Sequence, residues 1–225
     1  MNALLITATD TDAGKTVLTT ALFAYWRKHI PSRTLGLLKP VQSGVGDREL
    51  YSRLFNLDPQ EVNALWFEAP LAPPLAAALV GQKVSLEKAW QAFENLRYRY
   101  DWVLVEALGG LGSPVTHETT VADLAWDWRL PTVLVVPVKL GAIGQAVANV
   151  ALAKLSRVHL KGIVLNCVSP CSDEDIAHWA PSDMIQSLTG VPVLGTIPYL
   201  PDPTDVDKLA QVAANLDLEK LIPLY

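Results

Sequence analysis

The feature that most constrains this chain is the run from Leu4 to Thr16, Leu-Leu-Ile-Thr-Ala-Thr-Asp-Thr-Asp-Ala-Gly-Lys-Thr. Its apolar start reads as a buried strand, a small polar turn follows, and helical spacing runs from Val17 to about Arg27. A buried strand that turns through Gly14-Lys15-Thr16 into a helix has the layout of a phosphate cradle. Backbone N–H groups from Asp12 through Ala13 and Gly14 to Val17 would face a triphosphate, and the helix dipole would add partial positive charge there. Lys15 would reach the β- and γ-phosphates, and Thr16 would offer its hydroxyl to Mg²⁺. The usual spacing would put a glycine where this chain has Thr9. The alternative is a chance Gly-Lys-Thr, but the motif sits directly after the first buried strand, where a nucleotide-binding α/β domain needs it.

Further buried strands are predicted at Thr34–Leu38, Trp102–Glu106, Thr132–Val136, Gly162–Asn166 and Val193–Ile197, which makes six with the first. Helices are expected at Asp47–Phe55, from Leu86 to about Arg99, and from about Ala142 to Leu155. Ala69–Pro74 is expected to be a rigid loop, being too proline-rich for a regular helix. Strands alternating with helical segments predict an α/β fold of the P-loop NTPase kind, a mostly parallel central sheet with helices on both faces. No repeat or linker interrupts the 225 residues, so residues 1–225 are read as a single domain.

Two further strand ends bear on chemistry, because ligands of such sheets bind beyond the carboxyl ends of the strands. Pro40 is expected to stop the second strand and present Lys39 and Ser43 there. Lys39 by itself reads as an ordinary solvated lysine; its place after a strand that should neighbour the phosphate loop favours an anion-facing role. Glu106 ends the third strand ahead of Ala107-Leu108-Gly109-Gly110, where a Mg²⁺-organising carboxylate would be expected. Asp47 reads first as a helix N-cap.

The net charge of −5 and the lack of a Lys/Arg cluster disfavour a nucleic-acid surface. With no basic leader before the first strand and no long uncharged apolar run, a cytoplasmic protein without a membrane span is expected. Cys167 and Cys171 lack a second pair or clustered histidines and read as reduced structural thiols.

Taken together, Thr-Asp-Thr-Asp-Ala-Gly-Lys-Thr, Lys39-Pro40-Val41-Gln42-Ser43-Gly44, Val105-Glu106-Ala107-Leu108-Gly109-Gly110, Leu165-Asn166 and Ile197-Pro198-Tyr199 resemble the dethiobiotin synthetase family over nearly the whole chain. That family's loop has five residues between its first glycine and Gly-Lys-Thr, and the first glycine is Ala8 here; a family glycine after the glutamate is Ala107. The resemblance implies an ATP-dependent ligase that carboxylates 7,8-diaminononanoate with CO₂ and closes the cyclic urea through a carbamate and a carbamic–phosphoric anhydride. It implies catalytic roles for Lys15, Lys39 and Thr11, and a Mg²⁺ set of Thr16, Asp47 and Glu106, which overrides the capping explanation for Asp47. It further implies ATP contacts from Asp12 to Val17, from Glu106 through Ala107 and Leu108 to Gly109, and from Asn166, Cys167, Pro198 and Tyr199. Substrate contacts would come from Thr11, Lys39 and Ser43, with Leu140 and Gly141 at a helix N-terminus supplied by the second subunit of a homodimer.

Two other classes share parts of this pattern. A partition-type ATPase switch typically carries a lysine where this chain has Asp10, and its basic amphipathic tail has no counterpart in the acidic stretch Asp205–Leu221. A cobyrinate-type amidating synthetase adds a glutaminase domain for which there is no room.

Overall fold

The computed structural model describes residues 2–222. The chain runs β1 (Ala3–Ala8), α1 (Lys15–His29), β2 (Leu35–Ser43), α2 (Asp47–Phe55), α3 (Pro59–Val62), β3 (Asn63–Phe67), α4 (Pro73–Leu79), α5 (Leu86–Arg99) and β4 (Trp102–Gly110). It continues through α6 (Val121–Asp127), β5 (Thr132–Pro137), α7 (Ala142–Leu155), β6 (Leu160–Asn166), α8 (Asp173–Trp179), α9 (Ser182–Thr189), β7 (Val193–Ile197), α10 (Val206–Ala213) and α11 (Leu218–Leu221). Among the described residues, seven strands form one parallel sheet in the order β3-β2-β4-β1-β5-β6-β7.

Burial on both faces explains why the strands read as continuous apolar runs rather than alternating ones. Along β1, Leu4, Ile6 and Ala8 face one core layer while Ala3 and Leu5 face the other. The first layer is closed by α1 and α10 through Leu18, Leu22, Leu209 and Ala213, and by Tyr51 and Phe55 of α2. The second is closed by α5, α6 and α7, with Phe93 stacked on Trp128 at 5.3 Å between ring centroids. β1 lies between β4 and β5, so the loop after it opens where the crossovers diverge to the two halves of the sheet, the usual ligand crevice of such folds.

The α/β class and the parallel sheet agree with the sequence reading, but four details differ. β3 was not among the six predicted strands: its run Asn-Ala-Leu-Trp-Phe sits at the sheet edge with Trp66 40% exposed, so it lacks the all-apolar signature. Pro40 does not end β2. The strand pairs with β4 from Leu35 to Leu38 and with β3 from Lys39 to Ser43, and the proline, which has no N–H to donate, sits at the changeover. β4 likewise continues past Glu106 to Gly110, pairing there with Ala8. Only the first part of Ala69–Pro74 is a loop. Pro73 and Pro74 open α4, at helix positions where a missing N–H costs no hydrogen bond.

Candidate active site

The phosphate loop enters α1 through Gly14, whose φ of 99° is left-handed and whose missing side chain matters twice. A Cβ there would strain the backbone and run into the Asn166 carboxamide. α1 has no side-chain cap and no acidic residue in its first turn, so its leading N–H groups are left for an anion. Ala8, where the family has glycine, is a fully buried strand residue, and its backbone does not have positive φ. The methyl group is therefore accommodated.

Lys15 is 4% exposed and folds back over the loop, donating to the carbonyl oxygens of Asp10 at 3.1 Å and Thr11 at 2.8 Å. Burial lowers its pKa, opposed by Glu106 and assisted by Lys39. Lys39, inside β2, donates to Glu106 Oε1 at 2.8 Å and to Asp47 Oδ2. Burial acting alone would lower its pKa, but the charges of Glu106 and then Asp47 outweigh it and hold the ammonium above its ordinary value. Burial would raise the Asp47 carboxyl, and the charge of Lys39 reverses the sign and lowers it.

Asp47 is the first residue of α2, and the cap position belongs to Gly46, whose N–H donates to Glu49 Oε2 at 3.0 Å. The N-cap expectation for Asp47 is thereby corrected: with Glu49 serving the backbone, the Asp47 carboxylate turns inward. Thr16 Oγ1 lies 3.0 Å from Asp47 Oδ1 and 3.3 Å from Glu106 Oε1. One hydroxyl proton cannot serve both carboxylates at once. Glu106 is fully buried, and its other oxygen, Oε2, accepts from Thr19 Oγ1 at 2.7 Å and from Tyr51. Burial, then the charge of Glu106, raises the Tyr51 phenol well above its ordinary pKa, which keeps it a donor.

A cavity of about 800 Å³ opens over this cluster, lined by Thr11, Lys15, Thr16, Lys39, Ser43 and Asp47 on its polar side. Val45, Pro70, Leu71, Ala72, Pro73 and Leu108 form its apolar wall, and Gly109 and Ser113 complete the rim. Ser43 Oγ is buried without a hydrogen-bond partner, so it is free for a ligand. A second cavity of about 320 Å³ lies across the loop, lined by Val17, Asn166, Cys167, Pro198, Tyr199 and Leu200. Asp12 and Gly14 border both. Asn166 donates to the Ala13 carbonyl at 3.0 Å and so ties β6 to the loop. Burial and then Cys171 push the Cys167 thiol up to about 12, leaving it an uncharged wall group. Both cysteines are free thiols.

Two predicted groups lie apart from this assembly. Ala107 packs into the core beside Leu5 and Val41 rather than lining either cavity. Leu140, 86% exposed, and Gly141 precede α7 outside both cavities of their own chain. Conversely, sequence reasoning missed Thr19 and Tyr51, although each stands one helical turn after a residue it did name, Lys15 and Asp47. Val45 and Leu71 carried no such signal, because only the fold brings their loops to the cavity.

No cluster of three His, Cys, Asp or Glu side chains suited to a metal occurs among the described residues. The donor set nevertheless fits Mg²⁺, a hard cation that takes one or two carboxylates and keeps several waters. Here a hydroxyl and two carboxylate oxygens converge, and the single Thr16 proton is within reach of both carboxylates. The charges of Lys15 and Lys39 are matched by those of Asp47 and Glu106, so a triphosphate would require a further cation.

The sequence model of a family described as an AAA domain matches residues 2–207. The chain is 59% identical to the ATP-dependent dethiobiotin synthetase BioD of Gloeothece citriformis over the full length of both. It is 53% identical to the protein of that name from Crocosphaera subtropica, covering 98% of this chain and 100% of the other. The Bacillus subtilis strain 168 protein, also of that name, is 30% identical over 99% and 98% of the two chains. Among solved structures, a chain of the MinC:MinD cell division protein complex of Aquifex aeolicus aligns with a TM-score of 0.61 at 16% identity, over 100% and 99% of the two chains. A ParA family ATPase from Chlorobium tepidum aligns with a TM-score of 0.61 at 15% identity, over 98% and 97%. At such identities these two share the fold alone.

Proposed function

Since this chain belongs to the ATP-dependent dethiobiotin synthetase family, we propose that it forms dethiobiotin from 7,8-diaminononanoate, CO₂ and ATP as a C–N ligase, residues 1–225 acting as one domain. The observation that carries the site assignment is the meeting of Lys15, Lys39, Thr16 and Asp47 around one cavity at the mouth of the phosphate loop, with the buried Glu106 carboxylate directly behind Lys39 and Thr16.

The chemistry explains why such a cluster is needed. One amine of the substrate takes up CO₂ as a carbamate, whose oxygen is too poor a leaving group for the second amine to displace. Attack of that oxygen on the γ-phosphorus of ATP breaks the bond to the β-phosphate, releasing ADP and leaving a carbamic–phosphoric anhydride. The neighbouring amine then attacks the carbamate carbon, loses its proton and expels phosphate, which closes the cyclic urea.

Two anions must therefore be brought together and held in line. Lys15, released from the Asp10 and Thr11 carbonyls, bridges the β- and γ-phosphates. Lys39 neutralises the carbamate and the phosphoryl group in transfer. Thr11 and the unpartnered Ser43 hydroxyl hold the carbamate. The apolar wall of Val45, Leu71 and Leu108 suits a hydrocarbon chain, and the cavity beyond Gly14 suits the base, with Pro198 and Tyr199 against it. Thr16, Asp47 and Glu106 would hold Mg²⁺, which when bound offsets triphosphate charge.

A homodimer accounts for Leu140 and Gly141. The outward face of α7, with Gly144, Val147, Ala148, Ala151 and Leu155, is exposed, and the helix carries no charge before Lys154. On this reading the N-terminus of α7 receives the distal carboxylate of the substrate held by the partner subunit. No helix among the described residues is long and apolar enough to cross a membrane, and we place the reaction in the cytoplasm.

The test is incubation of the purified protein with 7,8-diaminononanoate, bicarbonate, Mg²⁺ and ATP, with detection of the cyclic urea by mass. Product and one ADP per product are expected, with little ADP formed when the diamine is omitted. ATP hydrolysis at the same rate without the diamine, and no urea, would overturn the reading in favour of a nucleotide switch.

A further inference from the structure

The carboxylate of Glu106 is divided between two tasks. Its Oε1 faces Lys39 at 2.8 Å and Thr16 at 3.3 Å, two residues that line the cavity. Its Oε2 faces into the protein, toward Thr19 at 2.7 Å and Tyr51. Thr19 Oγ1 also lies 2.9 Å from the Lys15 carbonyl, so its single proton is shared between two acceptors. The Tyr51 hydroxyl has Glu106 as its acceptor, and its ring is fully buried. Tyr51 and Asp47 stand four residues apart on α2, on the same face of the helix, so one rigid element grips the cluster at both ends. Asp47 holds Lys39 and Thr16, and one turn later Tyr51 holds Glu106.

We infer that Tyr51 is the principal positioning residue for Glu106, and Thr19 the secondary one: together they pin Oε2 so that Oε1 is presented to a divalent cation and to Lys39. This rests on the proposed reaction, in which Glu106 helps to hold Mg²⁺. Outer groups that orient a metal-binding carboxylate typically govern affinity by about 10–100-fold.

The experiment compares wild type with Tyr51→Phe, which keeps the ring and removes one hydroxyl, and with Tyr100→Phe, which removes a comparable Tyr–Glu61 contact far from the site. Two readouts are taken: the Mg²⁺ concentration giving half-maximal dethiobiotin formation, and the affinity of the ADP-bound protein for Mn²⁺ by electron paramagnetic resonance. In Tyr51→Phe both are expected to weaken about ten-fold, with the KM for the diamine unchanged, while Tyr100→Phe matches wild type. Thr19→Val should weaken Mn²⁺ binding by a smaller factor, and Thr19→Ser should restore it.

Unchanged Mg²⁺ and Mn²⁺ dependence in Tyr51→Phe, with only a lower melting temperature, would overturn the inference. So would a larger loss in Thr19→Val than in Tyr51→Phe. If Tyr51→Phe does not fold, wild-type Mn²⁺ affinity in Thr19→Val overturns it, and a loss there that Thr19→Ser restores supports it. Mn²⁺ binding needs no diamine, so failure of wild type to make dethiobiotin counts against the proposed reaction and leaves this test standing.

Discussion

Lys39 shows how one side chain serves both the fold and the site. With 4% of its surface exposed, its ammonium could not remain charged there without Glu106 and Asp47, and neither carboxylate would be tolerated so near the core without it. Lys39→Ala is therefore predicted to do two things. Turnover should fall by about 10² or more, the scale for losing one group that stabilises charge in a transition state. Stability in urea should also fall, by about 3–5 kcal/mol, because a buried carboxylate loses its partner. Near-wild-type turnover would remove Lys39 from the reaction. Asp47 supplies the complementary pH test. Its pKa is lowered in the folded protein, so its contribution is present above the unfolded value of about 3.9 and is lost as pH falls through the folded one. Urea unfolding at pH 7 should show wild type more stable than Asp47→Asn, and the gap should close below about pH 4. A gap independent of pH would mean the carboxylate charge is not what matters.

At the scale of elements, the strand–loop–helix unit of β1 and α1 was legible because its signals are local: an apolar run, small turn residues and Gly14 where a positive φ is required. Gly14→Ala should lower ATP affinity by at least about ten-fold, since left-handed strain alone is of order 1–3 kcal/mol and the Asn166 carboxamide must also move. Calorimetric titration with ATP checks this, and wild-type affinity would show that the loop tolerates a side chain. Elements whose signals depend on neighbours were misread. Pro40 looked like a strand end because nothing in the chain reveals that β2 changes partners there. Pro73 and Pro74 looked like loop residues because proline opens helices as readily as it breaks them. β3 stayed hidden because an edge strand need not be apolar throughout.

At the scale of the whole molecule, the exposed apolar face of α7 bears on assembly. The protein is predicted to sediment as a dimer of its 24.5 kDa chain, and Ala151→Glu, which sets a charge on that face, to sediment as a monomer with activity falling in step. A fully active monomer would exclude Leu140 and Gly141 from the partner's site.

The sequence by itself determined the sheet class, the position of the phosphate loop, and the lysines, carboxylates and hydroxyls that line the cavity, since apolar runs and turn residues act over a few neighbours. Only the tertiary structure decided that Asp47 turns to Lys39 instead of capping its helix, that Ala107 belongs to the core, and that Tyr51 and Thr19 share one oxygen of Glu106. Those outcomes depend on which strands lie side by side and on which buried charges must find partners. Both are settled by packing across the sheet, between residues as far apart in the chain as Thr19 and Glu106.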